Sequence, residues 1–374
     1  KITFSYFRNF MMLFSPLSIG SVSISNRIVI SPMCQYSADD GCMNDWHLQH
    51  AMQMAMSGAG MFVFEATAVE RRGRITHNCV GLYSDQNENA MRRVLNAARS
   101  VATNDLKFAI QLSHAGRKAS QNVPWLGGRA LSKAEDAWLT SAPSSIPFTQ
   151  DSPLPKELDK DEIQQIIKNF VSATKRAVKL GFSAIELHGA HGYLIHEFIS
   201  PISNKRKDEY GGKLDNRIKF PLEILTEVRK VIPKHIALGM RITGTDWRED
   251  GLSVKDAQRV AQILEENGLD YLCVSSGGIT TGLNIPVSPG YQVHLAAAVK
   301  ETVSIPVRAV GLITSPRQAN DIIAKGDADM VALARAFLSN PRWVWDASIA
   351  LQHSIKVPQQ YERAYAIQQN LIEH

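Results

Sequence analysis

At 374 residues, with 44% hydrophobic and 21% charged side chains, the chain can bury a large core as one barrel or as two ordinary domains. The net charge of +5 is spread over 41 basic and 36 acidic residues with no long run of one sign, which excludes the usual signatures of nucleic-acid and membrane binding and leaves anionic small ligands open. Cys34, Cys42, Cys79 and Cys273 form no close pair, so neither a disulfide framework nor a zinc or iron–sulfur site is expected, and a reducing cytoplasm fits best.

The opening Lys1 to Met12 lacks the long apolar core of a secretory signal and reads as an extension of the main unit. No stretch approaches the roughly 20 apolar residues of a membrane span. From Asn26 onward short apolar runs alternate with amphipathic helical stretches. Strands are predicted near 28–31, 61–66, 107–112, 183–187, 236–242, 270–275, 305–310 and 329–334. Helices are predicted near 45–57, 86–102, 160–180, 217–231, 255–267, 291–302, 315–325 and 337–351. Eight strand–helix units with right-handed crossovers close most naturally into a (β/α)8 TIM barrel over residues 13–353, with residues 354–374 as a C-terminal tail; an open doubly wound sheet is the alternative. The third connection, near 114–159, is far longer than the others and rich in proline and glycine, so an excursion over the barrel mouth is expected there.

In a barrel the chemistry collects where strands end. The fourth predicted strand, with Ala184, Ile185 and Leu187 around Glu186, runs into His188-Gly189-Ala190-His191-Gly192-Tyr193. Two imidazoles three residues apart on a glycine-rich turn can converge on one oxygen, with a phenol beside them as a proton donor. Other strand ends carry Ser31 to Tyr36, Glu65 to Thr67, Gln111 to Lys118, Arg241, Ser275 to Gly278, Gly311, and Ala334-Arg335. Small residues after the last three strands leave backbone amides exposed where barrels often hold phosphate, and Arg335 and Arg241 could add charge. Gln111 could pair with a donor and an acceptor on a ring edge. Phosphate plus ring edge suggests a mononucleotide. A histidine metal half-site, core histidines and a packing tyrosine stay open from these residues alone, as do a metal-dependent hydrolase and a redox sensor acting through Cys34.

Taken together, Ser31-Pro32-Met33-Cys34-Gln35-Tyr36, Glu65-Ala66-Thr67-Ala68-Val69, Gln111 to Lys118, His188 to Leu194, Ser203 to Gly212, Asp215-Asn216-Arg217 and Gln360-Tyr361-Glu362-Arg363 resemble the old yellow enzyme family, most closely its xenobiotic-reductase-like and thermophilic-type ene-reductases. The resemblance implies an FMN-bound barrel that takes hydride from NAD(P)H, with NADPH favoured, and delivers it through flavin N5 to Cβ of an activated alkene such as an α,β-unsaturated carbonyl. It implies FMN contacts from Ser31, Pro32, Met33, Cys34, Ala66, Gln111, Arg241, Gly277, Gly311, Ala334 and Arg335. His188 and His191 would hold the substrate carbonyl, Tyr193 would give the proton to Cα, Tyr36 would touch substrate, and no metal is called for. Arg363 would reach a neighbouring subunit's site, implying a homodimer or homotetramer. Two positions depart from the family pattern: Ala334 where glycine often precedes the arginine, and Lys213 where serine is common. A larger dienoyl-thioester reductase of the same superfamily would need a cluster-binding cysteine set and a further nucleotide domain.

Overall fold

The computed structural model describes residues 9–103 and 105–372; residues 1–8 of the expected extension lie outside the described residues. A hairpin of β1 (Leu17–Ile19) and β2 (Val22–Ile24) precedes the barrel. The barrel strands are β3 (Ile28–Ile30), β4 (Met61–Ala68), β5 (Lys107–Ser113), β8 (Ala184–Gly189), β9 (Ala237–Thr243), β10 (Tyr271–Ser275), β11 (Val307–Ala309) and β12 (Met330–Leu333). All neighbours are parallel, and β12 pairs with β3 to close the ring, as the eight-unit reading expects. Two short strands, β6 (Ser141–Ala142) and β7 (Lys156–Glu157), pair within the long third connection.

Period-two alternation divides the core into two layers. Outward residues such as Ile110, Leu112, Ile185 and Leu187 pack in the large cluster with the surrounding helices. Inward residues such as Val29, Val63, Ala109 and Ala184 join Ile19, Val22 and Ile24 of the β1–β2 hairpin, which stoppers the N-terminal end of the barrel.

The helices are α1 (Asp45–Ala55), α2 (Asp85–Val101), α3 (Lys160–Leu180), α4 (Leu194–Ile199), α5 (Leu214–Arg217), α6 (Lys219–Val231), α7 (Val254–Glu266), α8 (Val293–Lys300), α9 (Pro316–Ala324), α10 (Arg335–Ser339), α11 (Trp343–Ala350) and α12 (Glu362–Ile372). Helix α3 shows why these segments start and stop where they do. Asp159 Oδ1 accepts from the Glu162 amide at 2.9 Å, Glu162 Oε2 accepts from the Asp159 amide at 3.1 Å, and Gly181 ends the helix at φ +80°. Such a cap is worth about 1 kcal/mol.

Two sequence expectations differ. The single helix expected over 337–351 is two, α10 and α11, because Asn340 leaves helical geometry at φ −141° ahead of Pro341. The stretch over 217–231 begins earlier, as α5, and restarts after Ile218.

The excursion lies over the C-terminal face of the barrel. Trp138 Nε1 donates to the Arg72 carbonyl at 2.8 Å, Arg206 Nη1 to the Pro143 carbonyl at 2.9 Å, and the Lys205 amide to Ser144 Oγ at 2.9 Å. Each of these ties it to a loop that follows a barrel strand.

Candidate active site

The site is built on β8. Residues Ala184, Glu186 and His188 share its inward face, and the register sets Glu186 beside Gln111 of β5 and Gly239 of β9, with His188 beside Arg241 one step higher. Gln111 Nε2 donates to Glu186 Oε1 at 2.8 Å and Tyr271 Oη donates to Glu186 Oε2 at 3.2 Å. Arg308 from β11 completes an ion pair with Glu186 in which both side chains are sealed from solvent. Gly239 makes room for this layer, since a Cβ there would stand 2.1 Å from the Tyr271 ring. An ionised carboxylate has no proton to donate, so the amide nitrogen of Gln111 must face Glu186 and its carbonyl must face away. Arg308 Nε and Nη1 have no acceptor among the described residues, so the pair is only partly compensated.

Above this layer the chain turns. His191 adopts φ +61° and Gly192 φ +72°, and a Cβ on Gly192 would stand 2.1 Å from the Gly278 carbonyl oxygen. A non-glycine residue in this region costs about 1–2 kcal/mol, so neighbouring contacts must hold it. His196 of α4 is one of them. Its Nδ1 accepts from the Gly192 amide at 2.8 Å, which places its proton on Nε2, 2.9 Å from Asp246 Oδ1. Asp246 in turn accepts from Ser200 Oγ at 2.7 Å and from the Leu252 amide at 2.8 Å.

The turn gathers His188, His191 and Tyr193. The His188 ring centroid is 5.1 Å from that of His191 and 5.1 Å from that of Tyr193. Burial, and then Arg241, push both imidazoles well below their ordinary range, so both are neutral. Burial drives the Tyr193 phenol well above its usual range and keeps it protonated. Arg241 Nε donates to Ser275 Oγ at 3.1 Å, and the same hydroxyl lies 2.9 Å from His191 Nε2 and within 3.4 Å of the Ile242 carbonyl, to which it can donate. His188 Nδ1 is buried with no hydrogen-bond partner among the described residues.

Beside the turn a cavity of about 290 Å³ is lined by Ser31, Pro32, His191, Arg241, Gly311, Ala334 and Arg335, which joins sequence-chosen residues from five strand ends. Gln111 faces the barrel interior beneath it. Gly277 is not brought there: its amide donates to the Thr245 carbonyl at 2.9 Å, and Ser276 lines the cavity instead. Met33 lines a separate small cavity on the helix side with His47, His50, Phe62 and Phe64. Cys34 is half-buried, and desolvation raises its thiol, which stays protonated. Ala66 is buried at a register shift between Phe64 and Thr67 that turns Glu65 to the helix side; there Glu65 Oε2 accepts from the Gln35 amide at 3.1 Å. Tyr36 lines a second cavity, of about 150 Å³, with Lys118 and Phe148. Arg363 is exposed on α12, whose Tyr365 borders a groove beside Gly58 and Asp105 at the opposite end of the barrel, so within one chain it is far from the histidines. Among the described residues no three His, Cys, Asp or Glu side chains gather as metal ligands, and no helix is long and apolar enough to cross a membrane.

Sequence reasoning gave no role to Glu186, Arg308, Lys118, His196, Asp246 or Glu65. One signal was available for the first: alternation puts Glu186 on the same face as His188, and a charge inside a barrel requires a partner.

The profile of the NADH:flavin oxidoreductase / NADH oxidase family matches residues 12–353. The chain belongs to this family. It is 42% identical to an NADPH dehydrogenase of Geobacillus sp. (strain WCH70) over 95% of this chain and 98% of that protein. It is 39% identical to an NADH:flavin oxidoreductase of Gibberella zeae over 94% of this chain and 89% of that one. Among solved structures, a morphinone reductase in complex with tetrahydroNAD superposes with a TM-score of 0.72 at 24% identity, covering 93% of this chain and 92% of that one, and attests the fold. A histamine dehydrogenase from Rhizobium sp. 4-9 superposes with a TM-score of 0.75 at 27% identity over 92% of this chain, which spans only 48% of that longer protein.

Family membership makes the protein an FMN-dependent oxidoreductase of the old yellow enzyme type that uses NAD(P)H as reductant. The residues present fit that cofactor. Arg335 makes no ion pair among the described residues and borders a cavity whose other walls are small or uncharged apart from Arg241, which suits a phosphate. Gly311 and Ala334 add little bulk to that wall, which leaves room beside the guanidinium.

Proposed function

We propose that this protein is an ene-reductase, reducing the C=C bond of α,β-unsaturated carbonyls and related activated alkenes. The observation that carries the reading is the buried, unpartnered Nδ1 of His188 beside a neutral His191 and a protonated Tyr193. When bound, FMN supplies the hydride relay from the nicotinamide to the alkene. Ser31, Pro32, Gly311, Ala334 and Arg335 would hold the cofactor, with Arg241, Gln111, Cys34 and Ala66 toward its ring; Met33, whose side chain lies on the helix side, would contribute through its backbone. Gly277 acts only through the course of its loop.

As hydride adds at Cβ, negative charge grows on the carbonyl oxygen, and a donor already aimed there is worth about 3 kcal/mol. Neutral imidazoles each carry one N–H and serve as such donors without first being desolvated. Tyr193 then gives its proton to Cα, and Tyr36 borders the space outside. The test is direct. Anaerobic protein with bound FMN is bleached by NADPH and recovers its yellow colour on addition of cyclohexenone; bleaching without recovery by any member of an enone panel would sink the reading.

We also propose that the protein works in the cytoplasm, favours NADPH, and assembles as a homodimer or homotetramer in which Arg363 enters a neighbouring site. Its exposure on α12, away from its own histidines, supports this. Arg363→Ala should raise KM for enones several-fold with little change in flavin content; an unchanged KM counts against the shared site.

A further inference from the structure

Lys118 closes the Gln111 to Lys118 stretch, and the reaction as derived so far does not use it. Its Nζ donates to the backbone carbonyls of His191 at 2.7 Å and Gly278 at 2.9 Å. The same ammonium stands 5.1 Å from the ring centroid of Tyr193 and 4.7 Å from that of Phe148. An ammonium has three donors, and two are spent on carbonyls; the remaining charge faces the two rings. One side chain therefore touches the turn after β8, the loop after β10 and the excursion. Arg117 beside it reaches the Ile279 carbonyl at 2.7 Å and the Ile146 carbonyl at 3.2 Å, which strengthens the same strap.

We propose that Lys118 is a positioning residue for proton delivery: it holds the His191 carbonyl so that Tyr193 stays in place, and its charge favours the phenolate as it forms. The inference rests on Tyr193 being the proton donor. In that step the Tyr193 O–H bond breaks, a Cα–H bond forms on the substrate, and water returns a proton to the phenolate. Lys118 keeps all its own bonds. A cation facing an aromatic ring is attracted more strongly once the ring carries a full negative charge, so its effect falls on the transition state rather than on the resting enzyme.

The charge itself is labile. Burial pushes the ammonium down to about 8, with Glu197 of α4 pulling it up and Arg117 pushing it further down. The other titratable groups facing it, His191 and Tyr193, are neutral, as is the neighbouring His188. Burial also raises Glu197 to about 8, which makes it the competing source of any pH effect in this range.

The experiment compares the two half-reactions of the FMN-loaded enzyme by stopped flow, using NADPH and then cyclohexenone. For Lys118→Met, flavin reduction stays near the wild-type rate while enone-dependent reoxidation slows roughly 10–100-fold, less than the 10²–10⁴-fold of losing a whole general acid. The solvent deuterium isotope effect on reoxidation grows. Wild-type reoxidation falls as pH rises through about 8, and this fall disappears in the variant. Lys118→Gln keeps donors for the two carbonyls but no charge; it retains wild-type flavin content and likewise loses the pH fall, which separates charge from folding. A fall retained in both variants assigns it to Glu197 and overturns the proposal, as do unchanged reoxidation rates. Tyr193→Phe is the control. If it leaves reoxidation untouched, the reading of Tyr193 fails; if it slows reoxidation and Lys118→Met does not, only the role of Lys118 fails.

Discussion

Glu186 and His188 lie two residues apart on one strand and face the same way, yet they live in opposite conditions. Both oxygens of Glu186 are bonded, by Gln111 on one side and by Tyr271 and Arg308 on the other. His188 has a sealed nitrogen that nothing among the described residues satisfies. A carboxylate whose two oxygens are both bonded braces the barrel, even though Arg308 Nε and Nη1 beside it find no acceptor among the described residues, whereas an imidazole nitrogen without a partner braces nothing. The inward face of β8 thus changes from a bonded carboxylate to an unbonded imidazole within one step.

The largest effect should come from breaking the closed layer. Glu186→Ala leaves Arg308 buried without its partner, and such losses cost about 3–5 kcal/mol, readable as a lower midpoint in urea denaturation. A loss under roughly 1 kcal/mol would mean that the layer is not scaffold. Opening the other layer further should behave differently. His188→Ala should lower kcat/KM for cyclohexenone by roughly 100-fold while costing less stability than Glu186→Ala, because no bond within the chain is given up. The reverse ranking would undo the comparison.

A third prediction sharpens it with a fully bonded group at the rim. Glu70 accepts from Asn169 Nδ2 and Arg72 Nε, each at 2.6 Å, and meets His114 Nε2 at 2.8 Å. Burial alone would raise its carboxyl, but the His114 hydrogen bond and Arg72 carry it down to about 2. A carboxyl lowered on folding adds stability that is complete above its unfolded value and vanishes as pH falls through the folded one. Roughly 3 kcal/mol should therefore drain away between about pH 4.5 and 2, and Glu70→Gln should flatten that part of the profile in thermal melts.

Much of this architecture is legible in the chain, for identifiable reasons. Alternation and helical periodicity located all eight barrel strands, and α3 spans the range its caps announce. The helix break at Asn340 was equally readable, since Pro341 disfavours helical geometry before it. The site was legible where its residues cluster in sequence, as from His188 to Tyr193. It was hidden where the partner is remote: Arg308 lies 122 positions from Glu186, and no local spacing connects them. Glu65 was hidden for another reason, because the register shift after Phe64 reverses which face it occupies. The bonds of Lys118 go to backbone carbonyls, which look the same in every residue.

The β1–β2 hairpin stoppers one end of the barrel with Ile19, Val22 and Ile24. A vessel sealed below has a single doorway, and here the excursion narrows it. With that end stoppered, the C-terminal face is the side from which a ligand can reach the strand ends, and the plug far beneath them decides which face of the molecule meets the outside.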